Sequence, residues 1–184
     1  EDFLQGEEAS FIVMVDGNHV LPMATSQDHK RLLDDDKGPN TGGMGAYSPA
    51  PVVTPDVYER TMNEIILPTV AGMKAEGHEF TGFLYAGLMI DKTGAPYTIE
   101  FNCRFGDPET QPIMSRLDSD LVGLVEAAID SKLDSVAAEW NPQTAVGVVL
   151  AAQNYPDSPK KGDVISGLDK ANQIGKVFHA GTAT

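Results

Sequence analysis

The segment TIEFNCRFGDPE, residues 98–109, places two oxygen-bearing side chains two positions apart on a predicted strand. Because side chains alternate across a strand, Glu100 and Asn102 should share one face. A carboxylate beside an amide oxygen is a ligand pair that suits Mg²⁺, which takes its remaining ligands from water and substrate phosphates. The alternative is an edge strand with one solvated face, since such alternation is common in antiparallel sheets.

The other face of this strand is predicted to be apolar and to hold Ile99, Phe101 and Cys103. On that face Cys103 is expected to be a packed thiol rather than a nucleophile. Arg104 and Asp107 follow at once, in a turn with Gly106 and Pro108. Charged groups of both signs therefore converge at the strand end.

A second candidate is the segment TSQDHKR, residues 25–31. His29, Lys30 and Arg31 could donate hydrogen bonds to a transferring phosphoryl group, where fixed positive charge stabilises the transition state. The alternative is a solvated charge run at the mouth of a loop.

The loop GPNTGGMGAY, residues 38–47, is the third candidate. It has neither the P-loop spacing nor the dinucleotide-binding pattern G-x-G-x-x-G. Its glycines would let backbone N–H groups approach an anion and let the segment change shape. An ordinary surface loop is the alternative interpretation.

Hydrophobic patterning predicts an α+β fold with antiparallel strands around these candidates. Two hairpins are predicted, and their strands are 11–15 with 20–23, and 83–90 with 97–102. Between them, residues 24–51 lack periodicity and are expected to form a long loop. A further strand is expected at 146–152, followed by two more near 162–165 and 176–179.

Helices are predicted after each hairpin. The first has Thr54 as N-cap and Pro55 in its first position, is kinked at Pro68 and stops near Gly77. Two more are expected at 110–116 and 120–132, followed by a linker at 134–144.

The totals limit the classes of function. The 184 residues include 13 basic and 27 acidic side chains, a net charge of −14, which argues against a nucleic-acid backbone as partner. No apolar run reaches the ~20 residues of a membrane-spanning helix. A single cysteine and the lack of a secretory signal at the first residues make the cytoplasm the expected compartment.

Several segments together resemble one known family. GPNTGGMGAYSPAP, GFLYAGLMID, IEFNCRFGDPETQ and SFIVMVDG with ATSQDHKR are similar to segments of the phosphoribosylamine–glycine ligase family of ATP-grasp enzymes. The resemblance implies that residues 1–133 form the C-terminal lobe of an ATP-grasp domain, 134–144 a linker, and 145–184 the first strands of a small β-rich domain. It also implies that an N-terminal portion of the same protein, including the other ATP-grasp lobe, is missing here.

The resemblance further implies a reaction in purine biosynthesis that requires ATP and Mg²⁺ or Mn²⁺. Glycine and 5-phosphoribosylamine would give glycinamide ribonucleotide, ADP and phosphate through glycyl phosphate. The implied site residues are Lys30, Arg104 and Asp107 near the reacting groups, Glu1 and Glu8 by the adenosine, Glu100 and Asn102 on the metal, and Asn40, Thr41, Gly42, Gly43 and Gly45 in a substrate loop.

Two other functions stay open from the sequence. One is another ATP-grasp carboxylate–amine ligase, which GPNTGGMGAY together with FGDPETQ disfavours. The other is an acidic binding module without turnover. Because nucleotides in this fold lie between two lobes, residues 1–184 alone are expected to lack turnover.

Overall fold

Residues 3–184 are described by a computed structural model of the chain. The strands are β1 (Glu7–Asp16), β2 (Val20–Pro22), β3 (Gln27–Asp28), β4 (Arg31–Leu33), β5 (Lys37–Asn40), β6 (Gly45–Ser48), β7 (Thr81–Ile90), β8 (Pro96–Asn102) and β9 (Ala145–Val148). The helices are α1 (Pro55–Arg60), a π-helical segment (Thr61–Ile66), α2 (Leu67–Ala75), α3 (Thr110–Arg116), α4 (Leu121–Ile129), a 3₁₀ turn (Leu133–Ser135) and α5 (Leu168–Ile174). No helix within residues 3–184 is long and apolar enough to cross a membrane.

A four-stranded antiparallel sheet in the order β2-β1-β7-β8 organises the fold. Both predicted hairpins are confirmed, because β1 pairs with β2 and β7 with β8. Alternate residues of β1 enter two cores: Phe11 packs toward α1, the π segment and α2, while Ile12 packs toward α3 and α4. Burying the central strands on both faces stabilises the sheet by the hydrophobic effect.

The first helix begins where the sequence predicts. The Thr54 hydroxyl accepts a hydrogen bond from the backbone N–H of Val57, and Pro55 is the first helical residue. The sequence predicts a kink at Pro68; the structure has the π-helical segment Thr61–Ile66 just before Pro68, which lies in the first turn of α2. Gly77 follows the helix end with a φ of +82°, a conformation that favours glycine.

The prediction of a long loop over residues 24–51 is wrong. This segment contains the four short strands β3 to β6, and β6 pairs with both β3 and β9 in a second sheet. Strands of two to four residues are too short to show a period of two, so pairing over long distance decides their conformation.

The predictions for the last forty residues are only partly right. The strand expected at 146–152 exists as β9, Ala145–Val148, but the segments 162–165 and 176–179 are not strands. Val164 is 93% and Phe178 51% exposed, so these apolar segments lack the burial that stabilises a strand. The described residues up to Leu150 form one compact unit, and Ala151–Thr184 form a second, which contains α5.

Strict alternation in β8 is broken by a bulge. Glu100 pairs with Gly87 and Thr98 with Leu88, so Ile99 is an extra residue between them. Phe101 is 43% exposed and Cys103 is also exposed, so the prediction of a packed thiol is wrong. The reason is that β8 is the edge of the sheet.

The turn between β1 and β2 is tied down by a histidine–carboxylate pair that should make stability depend on pH. The pKa of His19 is raised, chiefly by the hydrogen bond from His19 Nδ1 to Asp16 Oδ2 (3.0 Å) and also by the charges of Asp16 and Asp134. Loss of solvation and the charge of Lys74 act in the opposite direction and lower it. The folded chain therefore holds this proton more tightly than the unfolded chain. The stabilisation is complete below the unfolded pKa of about 6.5 and is lost as pH rises through the higher folded value.

We therefore expect the urea concentration at the unfolding midpoint to decrease as the pH is raised from about 6 to about 8.5. The decrease should be smaller in the His19→Gln variant. The exposed His78 provides a matched control. In the His78→Gln variant the urea midpoint should fall with pH by the same amount as in wild type. Equal slopes in wild type and His19→Gln would contradict the role of this pair.

Candidate active site

Two adjoining cavities of about 190 and 150 Å³ lie over the face of β1, β7 and β8 that carries Glu100. Both are lined by Asp28, Lys30, Tyr85 and Glu100. The first also contacts Glu8, Asn40 and Ile99, and the second Gly42, Arg104, Asp107 and Glu109. Sequence segments up to a hundred residues apart therefore meet in one concave site.

Glu100 and Asn102 lie on the same face, as the strand pattern predicts. Asn102 Nδ2 donates a hydrogen bond to Glu100 Oε1 over 3.1 Å, and Gly87 lies directly across from Glu100 on β7. A Cβ on Gly87 would come within 3.2 Å of Glu100 Cγ, so the glycine leaves room for the carboxylate side chain. The bulge brings Ile99 to the same cavity as Glu100, which corrects its predicted place on the opposite face.

Lys30 is held between carboxylates. Its Nζ donates to Glu8 Oε2 over 2.8 Å and lies 4.0 Å from Asp28 Oδ2. Burial acts to lower the pKa of Lys30, but the hydrogen bond to Glu8 and the charges of Asp28, Glu8 and Glu100 raise it overall. Lys30 is therefore a fixed positive charge at neutral pH, suited to an anion and unsuited to act as a base.

Asp28 is a buried carboxylate next to Lys30. Burial raises the pKa of Asp28 to about 6, with Lys30 opposing the shift and Glu109 and Glu8 adding to it. Near neutral pH it therefore carries a negative charge that protonation removes in mild acid. Perturbed carboxyls of this kind occur often in functional sites.

The glycine loop is fastened to the strand segment that carries Lys30. The backbone N–H and the hydroxyl of Thr41 both donate to the Lys30 carbonyl, at 2.7 and 2.9 Å, and the Met44 N–H donates to the His29 carbonyl at 2.7 Å. Asn40 and Gly42 reach the cavities, while Gly43 packs on Pro108 and Gly45 on the Gly147 carbonyl. The predicted loop residues thus divide into two that border the site and three that anchor the loop.

Gly43 should not tolerate a side chain. Its φ is +117°, and a Cβ would lie 2.3 Å from Pro108 Cδ. We expect Gly43→Ala to lower the free energy of unfolding of the chain by about 2 kcal/mol through backbone strain and displacement of Pro108. Urea unfolding measures this change.

Gly72→Ala is the matched control for Gly43→Ala. Gly72 lies in α2 and a Cβ there meets nothing within 4 Å, so alanine should stabilise the chain by about 0.5–1 kcal/mol. A Gly43→Ala chain as stable as wild type would show that the contact with Pro108 is not tight.

Four residues in the site were missed by sequence reasoning: Ser10, Asp28, Tyr85 and Glu109. Ser10 and Tyr85 interrupt apolar strands with hydroxyl groups, a signal that a buried polar partner exists. Asp28 precedes Lys30 by two positions, and Glu109 follows Asp107 by two. Glu8 lines the first cavity, and Glu1 lies outside the described residues.

The chain has the fold of ATP-grasp proteins. The sequence model described as "Phosphoribosylglycinamide synthetase, ATP-grasp (A) domain" matches residues 1–110, and the one described as "Phosphoribosylglycinamide synthetase, C domain" matches residues 145–184. A crystal structure of an L-amino acid ligase from Bacillus licheniformis shares the fold with a TM-score of 0.62 at 20% identity, covering 93% of this chain and 41% of that chain. The expected α+β fold, with its antiparallel sheet and helices, is confirmed.

Within this class, the chain belongs to the phosphoribosylglycinamide synthetase family, whose curated members are named phosphoribosylamine–glycine ligase. The protein of that name from Neisseria meningitidis serogroup B is 91% identical over 182 residues, which is 99% of this chain and 43% of the relative. The one from Xanthomonas axonopodis pv. citri is 69% identical over 183 residues, 42% of its length. The chain thus spans less than half the length of these relatives.

A solved structure supports the same assignment. The crystal structure of phosphoribosylamine–glycine ligase from Thermotoga maritima aligns with a TM-score of 0.79 at 39% identity, covering 88% of this chain and 40% of that chain.

Proposed function

We propose that the protein containing this chain ligates glycine to 5-phosphoribosylamine, forming glycinamide ribonucleotide, ADP and phosphate in purine biosynthesis. The observation that carries the proposal is the meeting of Lys30, Glu100, Arg104 and Asp107 around one cavity in a chain of this family. Phosphoryl transfer uses cationic side chains and carboxylates that hold a metal ion. Lys30 and Arg104 are the cations here, and Glu100 is the carboxylate.

The donor set on β8 fits Mg²⁺. Glu100 and Asn102 offer two adjacent oxygen-bearing groups, and among residues 3–184 no group of three or more His, Cys, Asp or Glu side chains could enclose a metal. This suits an ion that keeps waters and substrate phosphates as its other ligands. Bound there, Mg²⁺ or Mn²⁺ would neutralise charge on the ATP phosphates.

We place the other residues by the charges they carry. Lys30 and Arg104 would stabilise negative charge on the reacting phosphoryl group, and Asp107 would lie beside the substrates. Glu8, together with Glu1, would lie by the adenosine, and residues 40–45 would border the substrates. The backbone N–H groups of such a loop can approach an anion closely.

The proposed reaction has two balanced steps. A glycine carboxylate oxygen attacks the γ-phosphorus, the bond to the β–γ bridging oxygen breaks, and ADP leaves. The amine of phosphoribosylamine then attacks the acyl carbon of glycyl phosphate, loses a proton and expels phosphate. Positioning and fixed charge account for most of the catalysis expected of such a site.

We also propose that residues 1–133 form an ATP-grasp lobe, that residues 134–144 form a linker, and that residues 145–184 begin another domain. The proposed location of the protein is the cytoplasm. The 184 residues alone should lack turnover, because the other half of the nucleotide site would be supplied by the rest of the protein.

The test is ADP release by the full-length protein with Mg²⁺, ATP, glycine and phosphoribosylamine. We expect release that requires both glycine and the amine, and none from residues 1–184 alone. Alanine in place of glycine tests the alternative of another carboxylate–amine ligase. Release with alanine but not with glycine would contradict the proposal.

A further inference from the structure

The wall of the second cavity includes a buried carboxylate to which the proposed reaction assigns no role. Glu109 is 2% exposed, and its Oε1 accepts hydrogen bonds from Ser10 Oγ over 2.8 Å and from Tyr85 OH over 3.2 Å. The two hydroxyl oxygens are themselves 2.8 Å apart. One carboxylate oxygen therefore accepts hydrogen bonds from two buried hydroxyl groups, and buried hydrogen-bond networks of this kind rigidify the structure around them.

The three residues come from parts of the chain that each carry site residues. Ser10 lies on β1, two positions after Glu8. Tyr85 lies on β7, where its register partner across to β8 is Asn102. Glu109 directly precedes α3 and ends the turn that carries Arg104 and Asp107. The cluster thus connects the sheet, which carries Glu100 and Asn102, to the turn that carries Arg104 and Asp107.

The turn is folded closely over this carboxylate. A Cβ on Gly106 would lie 2.4 Å from the Glu109 carboxyl group, so Gly106 permits a contact that other residues would block. The Gly106 carbonyl is also held by the N–H and the hydroxyl of Thr110. Movement of Glu109 would therefore shift the turn between Arg104 and Asp107.

We propose that Glu109 is a positioning residue that sets the place of Arg104 and Asp107 relative to Glu100 and Asn102. It acts through its hydrogen bonds to Ser10 and Tyr85. A single oxygen of Glu109 accepts both hydrogen bonds. Positioning therefore requires the acceptor oxygen and does not require the negative charge of the carboxylate. The inference rests on the proposed function for its kinetic consequence only.

Substitutions in the full-length protein separate the oxygen from the charge. Glu109→Ala removes the acceptor, and we expect kcat to fall by about 10²-fold, the cost of a reacting group misplaced by about an ångström. Glu109→Gln keeps the acceptor oxygen and should restore kcat to within about threefold of wild type. Both are assayed near pH 8, where Asp28, with a pKa of about 6, is ionised.

A double-mutant cycle with Tyr85 tests the path of the effect. Tyr85→Phe keeps the ring and removes one donor to Glu109, so kcat should fall by about tenfold. The combined Glu109→Ala, Tyr85→Phe protein should be no slower than Glu109→Ala alone. If Glu109→Ala does not fold, Tyr85→Phe still gives the expected decrease or contradicts it.

Hydrogen exchange gives a readout that does not depend on the substrate. The backbone amides of Thr110 and Ile113, which donate to the carbonyls of Gly106 and Glu109, should exchange at least about tenfold faster in Glu109→Ala than in wild type, and at the wild-type rate in Glu109→Gln. A full-length protein that fails to ligate glycine overturns the proposed function, while this exchange pattern still decides the positioning role. Glu109→Gln as slow as Glu109→Ala, or unchanged exchange in Glu109→Ala, would overturn the inference.

Discussion

Replacing Glu100 by glutamine in the full-length protein should lower the rate of ligation by about 10³-fold or more. The amide has the shape of the carboxylate but lacks the charge that a divalent cation requires. Asn102, the other proposed ligand, cannot replace it, because its side chain is neutral and is held beside Glu100 by a 3.1 Å hydrogen bond. Under the proposed function, the metal that would neutralise the ATP phosphates would then be lost or misplaced.

Initial rates over a range of Mg²⁺ concentrations measure this effect. Raising Mg²⁺ should recover little of the rate if Glu100 supplies the charged ligand. Glu126→Gln is the matched control, since Glu126 is an exposed carboxylate on α4, and it should leave the rate unchanged. A Glu100→Gln protein within tenfold of wild type at ordinary Mg²⁺ would contradict the metal role.

Replacing Lys30 by methionine should lower kcat by about 10²–10³-fold, the loss that follows removal of one preorganised donor to transition-state charge in other enzymes. Methionine keeps most of the side-chain length but removes the positive charge. Asp28 and Glu8 would then face each other and Glu100 without a cation between them, so the site would also repel the ATP phosphates.

The matched control for Lys30 is Lys37, an exposed lysine paired with the exposed Asp35. Lys37→Met should leave both kcat and KM near wild type, because exposed ion pairs contribute little. A Lys30→Met protein with normal kcat and a raised KM for ATP would show that Lys30 acts only in binding.

The sequence predicts the strands that carry their own signal. The hairpins β1–β2 and β7–β8, the N-cap at Thr54 and the shared face of Glu100 and Asn102 all follow from local periodicity or capping chemistry. These features depend on residues close together in the chain. Local patterns are sufficient for them.

Features that depend on distant pairing could not be predicted in this way. The bulge at Ile99 shifts that residue to the cavity side, and nothing in the TIEFN sequence distinguishes a bulge from regular alternation. The exposure of Cys103 follows from the edge position of β8, which depends on the strand order of the whole sheet.

The buried cluster in the site shows the same limit at side-chain level. Ser10 and Glu109 are separated by 99 positions, and Ser10 and Tyr85 by 75. A hydroxyl group in an apolar strand indicates that some partner exists, but not which one. Only the packing of α3 against the sheet identifies it.

Transfer of oxygen from glycine into phosphate is the direct consequence of activating the glycine carboxylate, and isotopic labelling measures it. The full-length protein would be supplied with glycine labelled with ¹⁸O at both carboxylate oxygens, together with ATP, Mg²⁺ and phosphoribosylamine. We predict one ¹⁸O in each phosphate released and one in the amide carbonyl of the product, measured by mass spectrometry. Glycinamide ribonucleotide formed with no label in phosphate would contradict activation of the glycine carboxylate, and the absence of that product would contradict the proposed ligation itself.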